Sequence, residues 1–373
     1  GAPIQTGFRC HPQLVMANFS VLQLSISVNR QKGRNMDWIP TARSTHLPLR
    51  ICLIVLLLSL SGCAGSQSIL DPAGIQAERI ASLFWWMFGG GMLIWIGVVA
   101  LAGYVIKVRP GKHQPVKSQW LIIGGGVVFP ALVLTALLIF GLSIMPETRP
   151  GEGERTDIRI SVAGEQWWWR VHYQTDNGES VELANEIRLP VGRTALFELT
   201  STNVIHSFWI PALGGKVDMI PGRTNRLLLE PTRTGTFQGA CAEYCGTSHA
   251  FMRFRVQVME QQAFDQWLAA QAQPAHTPTT PEAREGRRVF MSNGCASCHT
   301  IRGTAADGQR GPDLTHVGSR LSLAAGTLPM APESFTHWIG HTRDIKPGVV
   351  MPRFEVLGQE KLEALAAYLT SLE

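Results

Sequence analysis

The stretch Cys241-Ala-Glu-Tyr-Cys245-Gly-Thr-Ser-His249-Ala-Phe-Met252 decides how the rest of the chain is read. It places two thiols, an imidazole and a thioether within twelve residues. Thiolate and thioether are soft donors, and imidazole suits copper as well as zinc. The thioether discriminates, because zinc sites use Cys, His and carboxylate. One more imidazole lies upstream, in Asn203-Val-Ile-His206-Ser-Phe, and completes a copper donor set. A His on one strand followed by a Cys/His/Met loop is how a β-sandwich copper protein collects its ligands. A mononuclear site needs one Cys; the two here suffice for two thiolates to bridge two metals. The competing reading makes Cys241 and Cys245 a disulfide or redox pair, which their spacing permits in an oxidising compartment. Glu243, His249, Met252 and His206, in this order, favour the metal.

This set resembles subunit II of the haem–copper cytochrome c oxidases, and the resemblance extends over about residues 63–373. It implies a binuclear copper centre (CuA). His206 and His249 would each ligate one copper, Cys241 and Cys245 would bridge both, and Met252 would be a weak ligand. Glu243 would give its carbonyl to copper and its carboxylate to a nearby Mg²⁺ site shared with subunit I. The implied fold here is a cupredoxin barrel.

Outward from this loop, strand-like runs separated by Gly, Pro and Asn turns cover 157–163, 167–173, 195–201, 207–210, 226–229, 235–239 and 252–259. They predict an antiparallel β-sandwich, closed by a short helix over 260–271. Within it, Gln166-Trp167-Trp168-Trp169 cannot turn all three indoles into a core, since side chains alternate along a strand. At least one is exposed or meets a partner. The resemblance implies an aromatic patch where electrons enter above the copper, with Trp167 as the accepting residue. The segment 205–223 also resembles the family, and implies that Asp218 and Arg223 contact subunit I. Asn203 stands where the family usually has Asp, which puts a nearby hydrogen bond or surface charge in question.

Composition bounds the rest. The chain has 373 residues, 45% hydrophobic and only 16% charged, a balance that points to membrane segments. Residues 1–155 carry a net +7, residues 156–281 carry −2, and the remainder is neutral. The basic excess lies beside the apolar segments, so the folded domains carry no nucleic-acid footprint.

Arg43 and Arg50 precede an apolar run from Leu49 to Leu60 that ends in Ser-Gly-Cys63. This reads as a signal peptide beginning at Met36, and the ending resembles a bacterial lipobox with Cys63 as the lipidated residue. Two uncharged runs follow, Ile80 to Ile106 and Trp120 to Met145, each long enough to span a bilayer. Between them, Lys107, Arg109, Lys112 and Lys117 mark a cytoplasmic loop. Cys63 and everything after Met145 are then periplasmic. Gly89-Gly-Gly91 and Gly124-Gly-Gly126 suit close packing on a membrane partner. Many family members carry a Glu at the start of the second span; Lys117-Ser-Gln-Trp120 has none, which predicts absent or altered proton uptake through this subunit.

Residues 273–281, rich in Pro and Thr, predict a semi-extended linker that does not pack. After it, Cys295-Ala-Ser-Cys298-His299 reads as covalent haem c attachment, with His299 as proximal ligand. The domain resembles a class I cytochrome c, with a first helix carrying Gly286 and Phe290, a Gly311-Pro312 proximal loop and a last helix over 358–372. Met330 and Met351 are candidates for the sixth ligand; Met351, just before the last helix, is favoured. His316, His337 and His341 read as surface or loop residues.

The expected organisation is therefore an extension with signal or lipoprotein peptide (1–62), a transmembrane helical hairpin (63–145), an all-β CuA cupredoxin domain (146–272), a linker (273–281) and an all-α cytochrome c domain (282–373). The resemblance implies a cytochrome-c oxidase subunit in the bacterial inner membrane. It would relay electrons from a donor cytochrome c or upstream respiratory complex, through haem c and CuA, to oxygen chemistry in subunit I. Other oxidase subunits would be partners. Two rival readings stay open: a tethered carrier working without an oxidase, and a copper-delivery or thiol-redox protein.

Overall fold

A computed structural model describes residues 65–107, 115–144, 156–174 and 180–373. Cys63 and the preceding segment lie outside the described residues, as does most of the loop between the two apolar runs. Helix α1 spans Ile75–Lys107. Helices α2 (Pro115–Ile123) and α3 (Phe129–Ile144) are joined by a π-helical turn, Gly124–Val128. A π turn is where glycine's lack of a side chain tolerates the wider winding. Two segments, Ile75–Lys107 and Gln119–Ser143, are long and apolar enough to cross a membrane.

The first turn of α1 belongs to the β domain rather than to a span. Ala73 N donates to the Ala212 carbonyl, Ala77 N to Leu213 and Ile75 N to Glu230, while Gln76 accepts from Glu230 N. Gln76, Ala77 and Ala81 are buried there. From Ile80 onward the helix presents exposed apolar side chains, as the sequence predicts for a lipid-facing run.

Among the described residues, ten strands form two five-stranded sheets. They are β1 (Ile158–Glu165), β2 (Trp168–Gln174), β3 (Ser180–Ala184), β4 (Glu186–Pro190), β5 (Ala195–Ser201), β6 (His206–Trp209), β7 (Val217–Met219), β8 (Asn225–Leu229), β9 (Gly235–Cys241) and β10 (Arg253–Met259). The orders are β3-β2-β1-β5-β8 and β4-β10-β9-β6-β7. Alternating burial along β1, β2 and β10 turns Ile160, Val162, Trp169, Val171, Phe254 and Val256 inward, the pleat's period of two. The sandwich is not wholly antiparallel, contrary to expectation. β1 pairs with β5, and β10 with β4, in parallel, because the chain changes sheets between β3 and β4. Asn185, at φ 61°, makes that change in one residue, and its Oδ1 accepts from Trp169 N at 2.9 Å. β3, β4 and β7 are strands that the sequence reading did not separate. Helix α4 (Gln261–Gln271) closes this domain.

The C-terminal domain contains α5 (Pro281–Ser292), α6 (Pro332–Ile345) and α7 (Gln359–Thr370). Thr280 caps α5 by accepting from Ala283 N, with Pro281 in the first turn, both favourable at a helix start. α5 crosses α7 at Gly286, where a Cβ would lie 1.9 Å from the Ala364 carbonyl oxygen. That approach brings Phe290 edge-on to Tyr368.

The two domains are in contact, and the segment between them packs, which corrects the expectation of a loose linker. Ala275 N donates to the Arg302 carbonyl. The Arg302 guanidinium donates to the carbonyls of Gln271 and Ala272. His316 is buried rather than at the surface, its ring nitrogens against the carbonyls of Gln273 and Glu373. Across the contact, the Glu186 carboxylate accepts from Leu321 N at 2.6 Å. Arg170 and Arg188 donate to the carbonyls of Gln309 and Ser319. Backbone carbonyls and N–H groups facing charged side chains leave few buried polar groups unpaired, which a stable contact requires.

Candidate metal and haem centres

β6 and β9 are neighbours, with Phe208 opposite Cys241, so His206 and Cys241 arrive side by side although 35 residues apart in sequence. The loop after β9 is closed by Cys241 N donating to the Met252 carbonyl and by a 3-10 turn over His249–Phe251. Beneath it, Phe208 stacks on Phe254 at 4.9 Å and Trp169 meets both edge-on. Gly239 leaves room for the Phe254 ring and Gly164 for the His206 imidazole. The fully buried aromatic floor holds the donor residues in place.

The donor atoms form a continuous chain. His206 Nδ1 lies 3.8 Å from Cys241 Sγ, Cys241 Sγ lies 3.8 Å from Cys245 Sγ, and Cys245 Sγ lies 3.5 Å from His249 Nδ1 and 3.8 Å from Met252 Sδ. The Glu243 carbonyl is 3.1 Å from Cys241 Sγ. His206, Cys241 and Cys245 bring their donor atoms within 4.8 Å of one another and are all buried. The sulfurs are too far apart for a disulfide, whose bond is about 2.05 Å. Two thiolates on one tetrahedral metal, with bonds of about 2.3 Å, would stand roughly 3.8 Å apart. The donor set therefore fits a metal shared by both sulfurs, and its mix of thiolate, imidazole and thioether fits copper.

Electrostatics favour thiolate formation. The Cys241 thiol is pulled down to about 3, first by the Cys245 thiol beside it and also by His206. Cys245 is pushed up, chiefly by its contact with Cys241 and by burial. The pair thus gives up one proton readily and holds the other until a cation replaces it. Asn203 Oδ1 faces His206 Nε2 at 3.1 Å. An amide oxygen only accepts, so Nε2 carries the hydrogen and Nδ1 turns its lone pair to the sulfurs. The hydrogen bond that the Asn left in question is present.

Trp167, the expected electron-entry residue, is 7% exposed, because residues of the C-terminal domain lie against it. Its indole Nε1 donates to the Cys245 carbonyl at 3.0 Å, and Gln166 Nε2 donates to the same oxygen at 2.8 Å. Trp169 is core, and Trp168 is half-buried with the Arg170 guanidinium over its ring. Asp218 and Arg223 are exposed.

In the C-terminal domain, Cys295 and Cys298 are free and half-buried at a single 3-10 turn. His299 Nδ1 donates to the Pro312 carbonyl at 2.8 Å, which leaves Nε2 for iron. Burial holds its pKa below the ordinary value, which favours the neutral imidazole that a metal needs. Gly311 fits against this ring, since a Cβ there would lie 2.5 Å from it. Met330, Trp338, Met351, Phe354 and Leu357 are partly buried against the core of this domain. Two thiols at one turn and an imidazole with Nε2 left over fit a covalently held haem. Both candidate methionines pack on the same core.

Sequence reasoning missed Gln166, Gly246, Gly348 and Lys346. Lys346-Pro-Gly was visible as the flank of Met351, but nothing in it signalled a contact with Trp167.

The molecule combines a cupredoxin-type sandwich with two facing thiols, a helical domain with a Cys-x-x-Cys-His turn and two helices apolar enough to anchor it in a membrane. Residues 158–259 match the family model of the cytochrome c oxidase subunit II periplasmic domain, and residues 283–373 match that of cytochrome c. Cytochrome c oxidase subunit 2 of Alkalihalophilus pseudofirmus is 34% identical over 88% of this chain and 97% of its own. That of Bacillus subtilis is 29% identical over 88% and 98%. The periplasmic domain of subunit II of cytochrome oxidase of Bradyrhizobium japonicum is 35% identical, covering 31% of this chain and 94% of that one, with a TM-score of 0.30. The chain belongs to the cytochrome c oxidase subunit II family and carries a C-terminal cytochrome c domain.

Proposed function

We propose that this subunit relays electrons one at a time from its own haem c, through CuA, to the oxygen-reducing site of subunit I. His206, Cys241, Cys245, His249 and Met252 would hold the two coppers, together with the Glu243 carbonyl, and the Glu243 carboxylate would reach a Mg²⁺ shared with subunit I. Cys295 and Cys298 would bind haem covalently, with His299 and Met351 as axial ligands; a Met ligand suits an electron donor by raising the potential. Both groups supply reversible one-electron chemistry when bound.

The single observation that carries this reading is the unbroken chain of five donor atoms, 3.5 to 3.8 Å apart, from β6, β9 and the loop that follows. The chain's own residues then do three things. The aromatic floor keeps the donors from rearranging between redox states, Asn203 and the Pro312 carbonyl fix the two imidazole tautomers, and Trp167 connects the Cys245 carbonyl to the haem-bearing domain. The two apolar helices suit a multi-pass inner-membrane protein with both folded domains in the periplasm. The basic residues between the helices support that orientation.

The test is metal and spin counting on the full chain within its oxidase. Two coppers per chain with a mixed-valence resonance, plus one covalent haem, are expected. Cys241→Ser and Cys245→Ser should each abolish the copper signal and leave the haem spectrum. A simple dithiol titration with no second copper would favour the thiol-redox reading instead.

A further inference from the structure

The Trp167 indole sits in a slot between two glycines, one from each domain. On one side is Gly246 of the copper loop, at φ 111°, where a Cβ would lie 3.1 Å from the ring. On the other is Gly348 of the C-terminal domain, at φ 82°, where a Cβ would lie 2.8 Å from Cη2. Any larger residue at either position would meet the ring, in a backbone conformation that glycine adopts at little cost.

Lys346 closes the slot. The residue is 2% exposed, and its amine donates to the Trp167 carbonyl at 2.5 Å and to the Ala324 carbonyl at 3.4 Å. Ser248 Oγ, from the copper loop, donates to the Pro347 carbonyl at 2.6 Å. The segment thus pinned, residues 346–349, is the one that leads into Met351. Val349 packs against the core of the β domain.

We infer that Lys346 is a positioning residue, pinning the haem-bearing loop on Trp167 so that the fused domain itself holds the site where electrons enter CuA. The inference rests on the relay reading above. The step it would serve is a single one-electron transfer, chemistry that haem c and CuA would supply when bound; this chain's residues would only hold the two sites in register. The docked loop also denies Trp167 to any soluble donor, which must deliver to the haem domain instead. Burial lowers the lysine's pKa to about 7, so the site disfavours the charged form. What assigns the role is the geometry: one buried amine ties the Trp167 carbonyl to the Ala324 carbonyl of the C-terminal domain.

The experiment uses the full-length chain assembled in its oxidase. Lys346→Met removes the amine and keeps an apolar stem. It should leave the haem and copper spectra and the rate of haem reduction by the external donor unchanged. Reoxidation of haem c by the copper centre should slow by at least about tenfold, since a misplacement of about 1 Å at a reacting contact costs on the order of a hundredfold. Unchanged reoxidation with both spectra intact would overturn the inference. Loss of either spectrum from the wild-type enzyme would defeat the relay reading instead. Amide hydrogen exchange of wild type is a second, independent test, decisive even if Lys346→Met does not accumulate. Slow exchange at 166–168 and 346–349 is expected in the holoenzyme; rapid exchange would show that the loop is not pinned and end the proposal.

Discussion

Replacing Gly286 by alanine sets two known effects against each other. In a helix interior, Gly→Ala ordinarily stabilises by about 1 kcal/mol. At this position the new Cβ would lie 1.9 Å from the Ala364 carbonyl oxygen and 2.7 Å from Tyr368 Cβ. Ordinary contact begins at 3.4 Å, so α5 must move away from α7 by about 1.5 Å. The obstacle is backbone and cannot rotate aside. Separation also opens the packing of Val289 and Phe290 on Leu365, Tyr368 and Leu369, all buried. Overpacking of this kind costs about 1–3 kcal/mol, and a backbone obstacle belongs at the upper end. The net is about 2 kcal/mol of destabilisation after subtracting the helix gain. For a domain this size that lowers the melting temperature by about 8–16 °C. Gly340→Ala is the internal control. It lies in α6, and its Cβ would meet only Leu362 Cδ1 at 3.5 Å, an ordinary contact. No clash opposes the change, but the helix kinks at the next residue, His341 (φ −131°), so the full propensity gain is not expected and the midpoint should stay close to wild type. Thermal unfolding of the haem-loaded full chain, followed by haem absorbance, reads both. The reasoning fails if Gly286→Ala melts at or above wild type, or if both variants shift the same way.

Asn203→Ala removes the acceptor of His206 Nε2–H. Asn203 is exposed, so water can replace it, and the loss should be a few-fold to tenfold in copper affinity, from about 0.5–1.5 kcal/mol; chelator competition measures it. Gly311→Ala would push a Cβ to 2.5 Å from the His299 ring, and is expected to tilt the proximal imidazole and change the haem spectrum while leaving copper untouched. Lys346 makes a pH signature. Its folded pKa of about 7 lies below the ordinary 10.5, so between those values the unfolded chain holds more protons and stability rises with pH. From pH 7 to 9 wild type should gain on the order of 2 kcal/mol relative to Lys346→Met in urea unfolding. Equal pH slopes for the two proteins would contradict the burial of that amine.

Much was legible in the residues before any coordinates. Soft-donor chemistry named the copper loop, because Met252 excludes zinc whatever the fold. Hydropathy placed the lipid-facing run of α1 from Ile80, and the Cys-x-x-Cys-His string named the haem turn. The strands β3 and β4 were missed altogether, and Asn185, which joins them in one residue, adopts a φ that a sequence does not display. The parallel pairs were equally hidden, since alternation gives a strand's faces and not its neighbours.

Local chemistry, then, was what the sequence offered: which atoms are soft donors at metal-binding spacing, where a haem-attachment string lies, and which segments are apolar. These are properties of side chains and short spacings. What the tertiary structure alone decided is who covers Trp167. The Gly246–Trp167–Gly348 slot and the Lys346 amine join positions 179 residues apart. No periodicity or motif encodes such a contact; it arises only when two folded surfaces meet.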